Sequence, residues 1–372
     1  MENMFVLLKP VGGNCNMRCS YCFYRDEVKK RGEIFPARMS PDVLRAVIQN
    51  ALKHTTGHCT IAFQGGEPTL AGLDFFKSAA EFARELNVNR CKISFLLQTN
   101  GLLSDGDWCD FLSRERFLVG VSLDGTKELH DLHRVDLNGQ GTFERVMRTV
   151  RRLRARGIET NILTVLTSDT CRRFSEVNAF FLRERLDFVQ YIPCIEPIGE
   201  ERGLLPWSLS PKAYGQYLKD AFDIWYRDIL GGRYRSHRYF DNLLMLMHGS
   251  PSEACGMSGR CGLQYVAETD GSTYPCDFYA SENYRIGNLC TDSVKEIDER
   301  RRKIGFVEQS MRIGSACGSC HWYALCRGGC RRDRDYFDAG IGENYYCQAY
   351  KDFFEYAYPR MEQVYFAARK SM

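Results

Sequence analysis

Residues 12–24 read GGNCNMRCSYCFY. Cys15, Cys19 and Cys22 fall in the spacing Cys-x3-Cys-x2-Cys, with Tyr21, Phe23 and Tyr24 set among them. Three thiolates are one short of a closed four-ligand site. An iron–sulfur cube takes four cysteines, so three leave one iron open to another ligand. A structural zinc site normally has four protein ligands, so the zinc reading needs a fourth from elsewhere in the chain. The run FVLLK (5–9) just before reads as a first strand. It has neither the basic region nor the small-residue cleavage site of a secretory signal.

Working outward, further β-like runs follow at 59–64 (CTIAFQ), 92–98 (KISFLLQ), 117–123 (FLVGVSL), 159–166 (ETNILTVL) and 187–192 (DFVQYI). Helical patterns lie between them, at 41–54 after Ser40-Pro41, and at 73–87, 105–115, 142–157 and 172–186. Gly157 stands where a C-cap glycine belongs. Six β/α units predict a parallel sheet, curved or closed. Residues 206–248 read as helical. From 255 onward the chain is rich in cysteine, glycine and aromatics and poor in long periodic runs, so metal ligation would have to supply stability there. The closing stretch is aromatic and helical and is expected to pack back on the body.

With 372 residues, 44% hydrophobic and 26% charged, the composition is that of a soluble globular protein. A formal charge of +3 gives no sign of a nucleic-acid partner, and no apolar run is long enough for a transmembrane helix. There are 17 cysteines. Cys59, Cys91, Cys109, Cys171, Cys194 and Cys290 show no ligand spacing and read as ordinary small residues. The others form Cys261-x9-Gly271-x4-Cys276, then Cys317-x2-Cys320-x5-Cys326-x3-Cys330, with Cys255 before and Cys347 after. Eight cysteines suffice for two closed four-thiolate sites, and either iron–sulfur cubes or zinc would fill them.

The Cys15–Cys22 stretch resembles the signature of the radical S-adenosylmethionine (SAM) superfamily, and the later series resembles its SPASM extension. The implied fold is α/β, a partial (β/α)6 barrel over 1–235 with a cysteine-rich domain over 236–372. The resemblance implies SAM and three 4Fe–4S clusters. Cys15, Cys19 and Cys22 would hold the SAM-binding cube. Cys255, Cys261, Cys276 and Cys330 would hold one auxiliary cube, and Cys317, Cys320, Cys326 and Cys347 the other. Gln64-Gly65-Gly66-Glu67, after the second strand, matches the motif that holds the SAM amine, its glycines letting backbone approach a ligand and its carboxylate able to pair with a ligand ammonium. Ser122 and Asp124 match ribose-binding positions, Arg134 is placed to pair with the SAM carboxylate, and Tyr21 and the backbone near Ile195 would neighbour the adenine. Gln98-Thr99-Asn100-Gly101 is a polar strand end that contacts ligand or simply turns the chain.

NCNMRCSYCFY, FQGGEPTLAGL, RYFD (238–241), YPCDFY and NYYCQAYKDFFEYAYPR together resemble the anaerobic sulfatase-maturating enzymes. That resemblance implies oxidation of a cysteine or serine in a sulfatase to Cα-formylglycine, with Asp277, next to Cys276, as the base. Its alternative in solution is an exposed turn aspartate. The implied partners are an unfolded or nascent sulfatase segment and an electron donor such as flavodoxin or ferredoxin, with no nucleic acid and no membrane, in the cytoplasm of an anaerobic or facultative organism. A rival reading is another SPASM maturase that forms a thioether or carbon–carbon crosslink. A second rival is an electron-transfer protein without catalysis, against which the Gly-Gly-Glu and ribose-type positions argue.

Overall fold

The computed structural model describes residues 1–24, 36–102, 106–198, 201–336 and 340–370. The chain forms two compact units, Met1–Leu123 with His130–Asn161 and Leu263–Phe306, and Asp124–Leu129 with Ile162–Gly262 and Val307–Met372.

The first unit is built on a sheet whose order is β4-β3-β2-β1-β7-β8-β9. Strands β1 (Asn3–Leu8), β2 (His58–Phe63), β3 (Lys92–Thr99) and β4 (Leu118–Ser122) are parallel neighbours, in register from Asn3 against His58 and His58 against Lys92. β7 (Tyr265–Ala267) adds in parallel to the other side of β1, and β8 (Ser272–Tyr274) and β9 (Gly287–Asn288) continue antiparallel. These last strands have two or three residues each, too short for alternation to show in sequence. The β7–β8 turn requires Gly271, at φ +84°, because a Cβ there would lie 2.4 Å from Cys290 Sγ. Leu7, Ala62, Val266, Tyr274 and Ala280 form a core cluster of this sheet.

Helices cover the sheet as the periodicity predicts. Ser40 caps the helix Pro41–Lys53, its hydroxyl accepting from Val43 N at 3.2 Å, and Leu44, Val47, Ile48, Ala51 and Leu52 bury one face. Helices Leu73–Glu85, Gly106–Arg114 and Phe143–Ala155 follow the expected pattern, Asp105 lying outside the described residues. Gly157, at φ +66°, closes the last of them, its N–H donating to Arg154 O.

In the second unit β5 (Thr160–Leu166), from Ile162 onward, pairs in parallel with β6 (Val189–Pro193). The helix expected over 172–186 is Phe174–Arg183, and a separate short helix, Ser168–Arg172, precedes it, its start capped by Thr167, which accepts from Thr170 N. The helical stretch 206–248 is likewise two, Pro211–Leu230 and Arg238–Met247, broken at Gly231-Gly232 with Gly232 at φ +72°. The short helix Lys127–His133 had no sequence signal we identified. The closing helix Cys347–Lys370 packs on Pro211–Leu230, with Tyr350 against Tyr214 (5.9 Å), Phe353 against Phe222 (5.9 Å) and Arg360 paired with Asp223 (2.8 Å).

Candidate active site and cluster-binding cysteines

Parallel strands bring their C-terminal ends to one edge of a sheet. In the first unit that edge carries Lys9 after β1, Gln64 after β2, Thr99 and Asn100 at the end of β3, and buried Ser122 at the end of β4. The cysteine loop lies against it. Gly66 N donates to Gly12 O and Glu67 N to Asn14 O, both at 2.8 Å. A Cβ on Gly66 would lie 2.1 Å from Asn14 O, and one on Gly65 2.7 Å from Gly12 O. The close approach these glycines permit is therefore to the cysteine loop itself.

Glu67 is fully buried. Its carboxylate accepts from Thr69 N (3.1 Å) and Thr69 Oγ1 (2.6 Å), from Thr99 Oγ1 (2.9 Å) and from Asn100 N (2.7 Å). Burial pushes its pKa up, against these hydrogen bonds. It ties β2 to β3, and Asn100 in turn donates to Asn16 Oδ1 (2.7 Å) and Cys15 Sγ (3.6 Å). The polar turn after β3 thus organises the cysteine loop.

The other side of the loop is pinned by Arg18 N to Val135 O (2.8 Å), Ser20 N to His133 O (3.0 Å) and Ser20 Oγ with His133 Nδ1 (2.8 Å). Arg134 is buried, not a surface arginine. Its guanidinium lies 5.4 Å from the Tyr21 ring and 3.9 Å from Cys19 Sγ. Cys15 is pushed up to about 11, chiefly by burial, with Met17 N donating to its sulfur and Cys22 close enough to be felt.

Asp277 opens a short 3-10 turn, Asp277–Tyr279, directly after Cys276. It is only 7% exposed, which sets aside the exposed-turn alternative. Its Oδ1 lies 2.9 Å from Lys9 Nζ. Its Oδ2 accepts from the Tyr24 hydroxyl and, at 3.1 Å, from Gln64 Nε2, which also donates to Tyr24 at 2.9 Å. Lys9 Nζ lies 3.3 Å from Glu268 and 4.8 Å from the centre of the Tyr24 ring. Gln64 thus joins the carboxylate group around Asp277. Lys9, Tyr24 and Glu268 were not singled out from sequence as site residues. The available signal was a lysine closing an otherwise apolar strand, since a lysine is almost never fully buried unless paired.

In the second unit, Cys326 is pushed up to about 11, by burial first and then by neighbouring Cys347, Cys317 and Cys320. Cys330 is half-buried, its pKa raised by desolvation first and also by Asp333, Cys261 and Cys255. So the structure gathers Cys317, Cys320, Cys326 and Cys347 in one place and Cys255, Cys261 and Cys330 in another, while Cys276 belongs to the first unit. All are free thiols. Crowded free thiols are a donor set whose protons a metal cluster would replace, which fits iron–sulfur ligation. Among the described residues no three metal-binding side chains gather tightly enough for a single ion. Also in this unit, Asp124 Oδ1 accepts from Val165 N at 2.9 Å, and Ile195 follows β6, half-buried.

Residues 10–177 match the radical SAM superfamily and residues 261–327 the iron–sulfur cluster-binding SPASM domain. The parallel sheet, the three-cysteine loop and the later cysteine sets therefore define a radical SAM protein with a C-terminal SPASM domain, a class that uses SAM and 4Fe–4S clusters. The cysteine-type anaerobic sulfatase-maturating enzyme of Clostridium perfringens (strain ATCC 13124) is 44% identical over 98% of this chain and 99% of its own. The serine-type enzyme of Bacteroides thetaiotaomicron is 29% identical over 96% of this chain and 90% of its own. The solved structure of native anSMEcpe with bound AdoMet and Cp18Cys peptide superposes with a TM-score of 0.93 at 43% identity, over 98% of this chain and 99% of that one. The chain belongs to the anaerobic sulfatase-maturating enzymes.

Proposed function

We propose that this protein oxidises a cysteine of a sulfatase polypeptide to Cα-formylglycine, with Asp277 as the proton acceptor. The observation that carries the reading is the buried Asp277 carboxylate, fixed by Lys9, Tyr24 and Gln64 on the sheet edge that also holds the three-cysteine loop. The higher identity to a cysteine-type than to a serine-type enzyme supports cysteine as the target.

Cys15, Cys19 and Cys22 would hold the SAM-binding cluster, and the eight later cysteines the two auxiliary ones. When bound, SAM and the clusters supply a hydrogen-abstracting radical and an exit for the second electron. Two electrons and two hydrogens must leave the substrate cysteine to make a thioaldehyde, and water then replaces the sulfur to give the aldehyde and hydrogen sulfide. One hydrogen leaves as an atom and the other as a proton. Asp277 takes the proton on Oδ2, the oxygen that Tyr24 and Gln64 hold in place. Arg134 and Tyr21, stacked beside the cysteine loop, offer a cation and a ring face to SAM, and Arg134 would pair with its carboxylate. Ser122 and Asp124 would bind the ribose. The backbone near Ile195 would neighbour the adenine. The Gly65-Gly66 backbone, seated on the loop, would present its carbonyls to the SAM amine.

An external one-electron donor such as flavodoxin or ferredoxin, and a cytoplasmic setting, complete the reading. No described helix is long and apolar enough to cross a membrane. The test is mass spectrometry of a sulfatase-derived cysteine peptide after anaerobic incubation with SAM and a reductant. Conversion of the cysteine to an aldehyde, trapped by a hydrazine, is expected. A crosslinked or unmodified peptide beside cleaved SAM overturns it.

A further inference from the structure

We infer that Lys9 and Glu268 are positioning residues for Asp277, an inference that rests on the role proposed above for that aspartate. Lys9 stands at the end of β1, where its N–H donates to Ala267 O at 2.9 Å, and Glu268 is the next residue after β7. Leu8 pairs with Ala267, so Lys9 and Glu268 each follow one member of that pair on adjacent strands. Lys9 is 1% exposed and Glu268 is fully buried. The ammonium bridges the Glu268 carboxylate at 3.3 Å and Asp277 Oδ1 at 2.9 Å.

A carboxylate on a short turn can rotate about its last bond. Here each oxygen has a separate anchor, Oδ1 on Lys9 and Oδ2 on Tyr24 and Gln64, so the plane of the group is fixed. Lys9 itself has a long flexible stem. Glu268 removes that freedom by holding the ammonium from the other side, and the Tyr24 ring lies 4.8 Å from it. Loss of Lys9 leaves Oδ1 without this anchor and the proton-accepting oxygen no longer aimed.

The test compares Lys9→Met, Glu268→Gln and Asp277→Asn as cluster-loaded enzymes, reading 5′-deoxyadenosine released per formylglycine formed, with iron content and SAM affinity as controls. Lys9→Met is expected to keep its iron and SAM affinity and to raise the ratio about 10–100-fold. Glu268→Gln, which retains an oxygen for the ammonium, is expected to raise it about 3–10-fold. It also serves if Lys9→Met fails to fold. In an Asp277→Asn background either change should add nothing, since both act through that carboxylate. A crystal structure of either variant should show the Asp277 side chain turned from its wild-type rotamer. If Asp277→Asn leaves the ratio unchanged, the role of Asp277 falls. If Asp277→Asn uncouples but Lys9→Met and Glu268→Gln do not, or their effects add in full to it, the positioning inference alone is overturned.

Discussion

Gly66 has no room for a methyl group. A Cβ would meet Asn14 O at 2.1 Å, and backbone cannot yield as a flexible side-chain end does. Gly66→Ala is therefore expected to displace the cysteine loop and to cost about four of about twelve irons, measured on anaerobically reconstituted protein. Full iron in this variant would show that the loop tolerates the shift. Asp277→Asn keeps the size of the side chain but cannot accept a proton near neutrality. SAM binding should persist, deoxyadenosine should continue to be released, and formylglycine should fall by roughly two to four orders of magnitude. Iron content must match the wild type, because the residue adjoins Cys276. Near-normal formylglycine with full clusters would remove Asp277 from the mechanism. At this scale the sequence exposed the residues that carry spacing, such as Cys15, Cys19 and Cys22. It did not expose Lys9 or Glu268, whose meaning comes from partners more than 250 residues apart along the chain.

The elements respond in their own ways. Replacing Cys15, Cys19 and Cys22 together by alanine should remove about four irons, abolish SAM cleavage and leave about eight irons in place, since the later cysteines lie on other segments. Loss of all iron would mean that the loop is needed for assembly elsewhere. At the start of the helix Arg238–Met247, His237 is buried, stacks on Phe240 at 4.0 Å and lies 3.1 Å from the Tyr217 hydroxyl. Burial lowers its pKa from 6.5 to about 3. The unfolded chain takes up this proton below about pH 6.5, while the folded one stays neutral until far lower pH. The stabilisation is thus present above pH 6.5 and is lost as pH falls towards 3. Between pH 7.5 and 5.5 the wild type should lose about 1.4 kcal/mol from this group, a loss that His237→Gln should not show in thermal unfolding under anaerobic conditions. Parallel slopes for the two proteins would refute it. Long helices with capped starts, such as Pro41–Lys53, were legible because their signals are local. The break at Gly231-Gly232 had a local signal in the glycine pair itself, and the short helix Ser168–Arg172 had one in its Thr167 cap.

For the whole molecule, the described residues after Cys255 form strands of two or three residues, one ten-residue helix (Val294–Lys303) and otherwise short helical turns until the closing helix begins at Cys347. Such a region buries too little regular structure to be rigid alone, so ligation should stabilise it. Removing iron should lower the unfolding temperature and speed amide exchange in residues 307–347 more than in β1–β4. Equal exchange with and without iron would contradict this. The sequence by itself determined the parallel β/α pattern and the three-cysteine signature, because periodicity and ligand spacing are written in neighbouring residues. It also determined the family, through motifs spread over nearly the whole chain. Only the tertiary structure decided that Gly65 and Gly66 seat the cysteine loop, that Glu67 ties β2 to β3, and that Lys9 bridges Glu268 and Asp277. Those facts depend on which strand ends lie side by side, and β7 reaches β1 only after some 250 residues of intervening chain. A buried charge declares its partner when the chain closes on it, and no local pattern can.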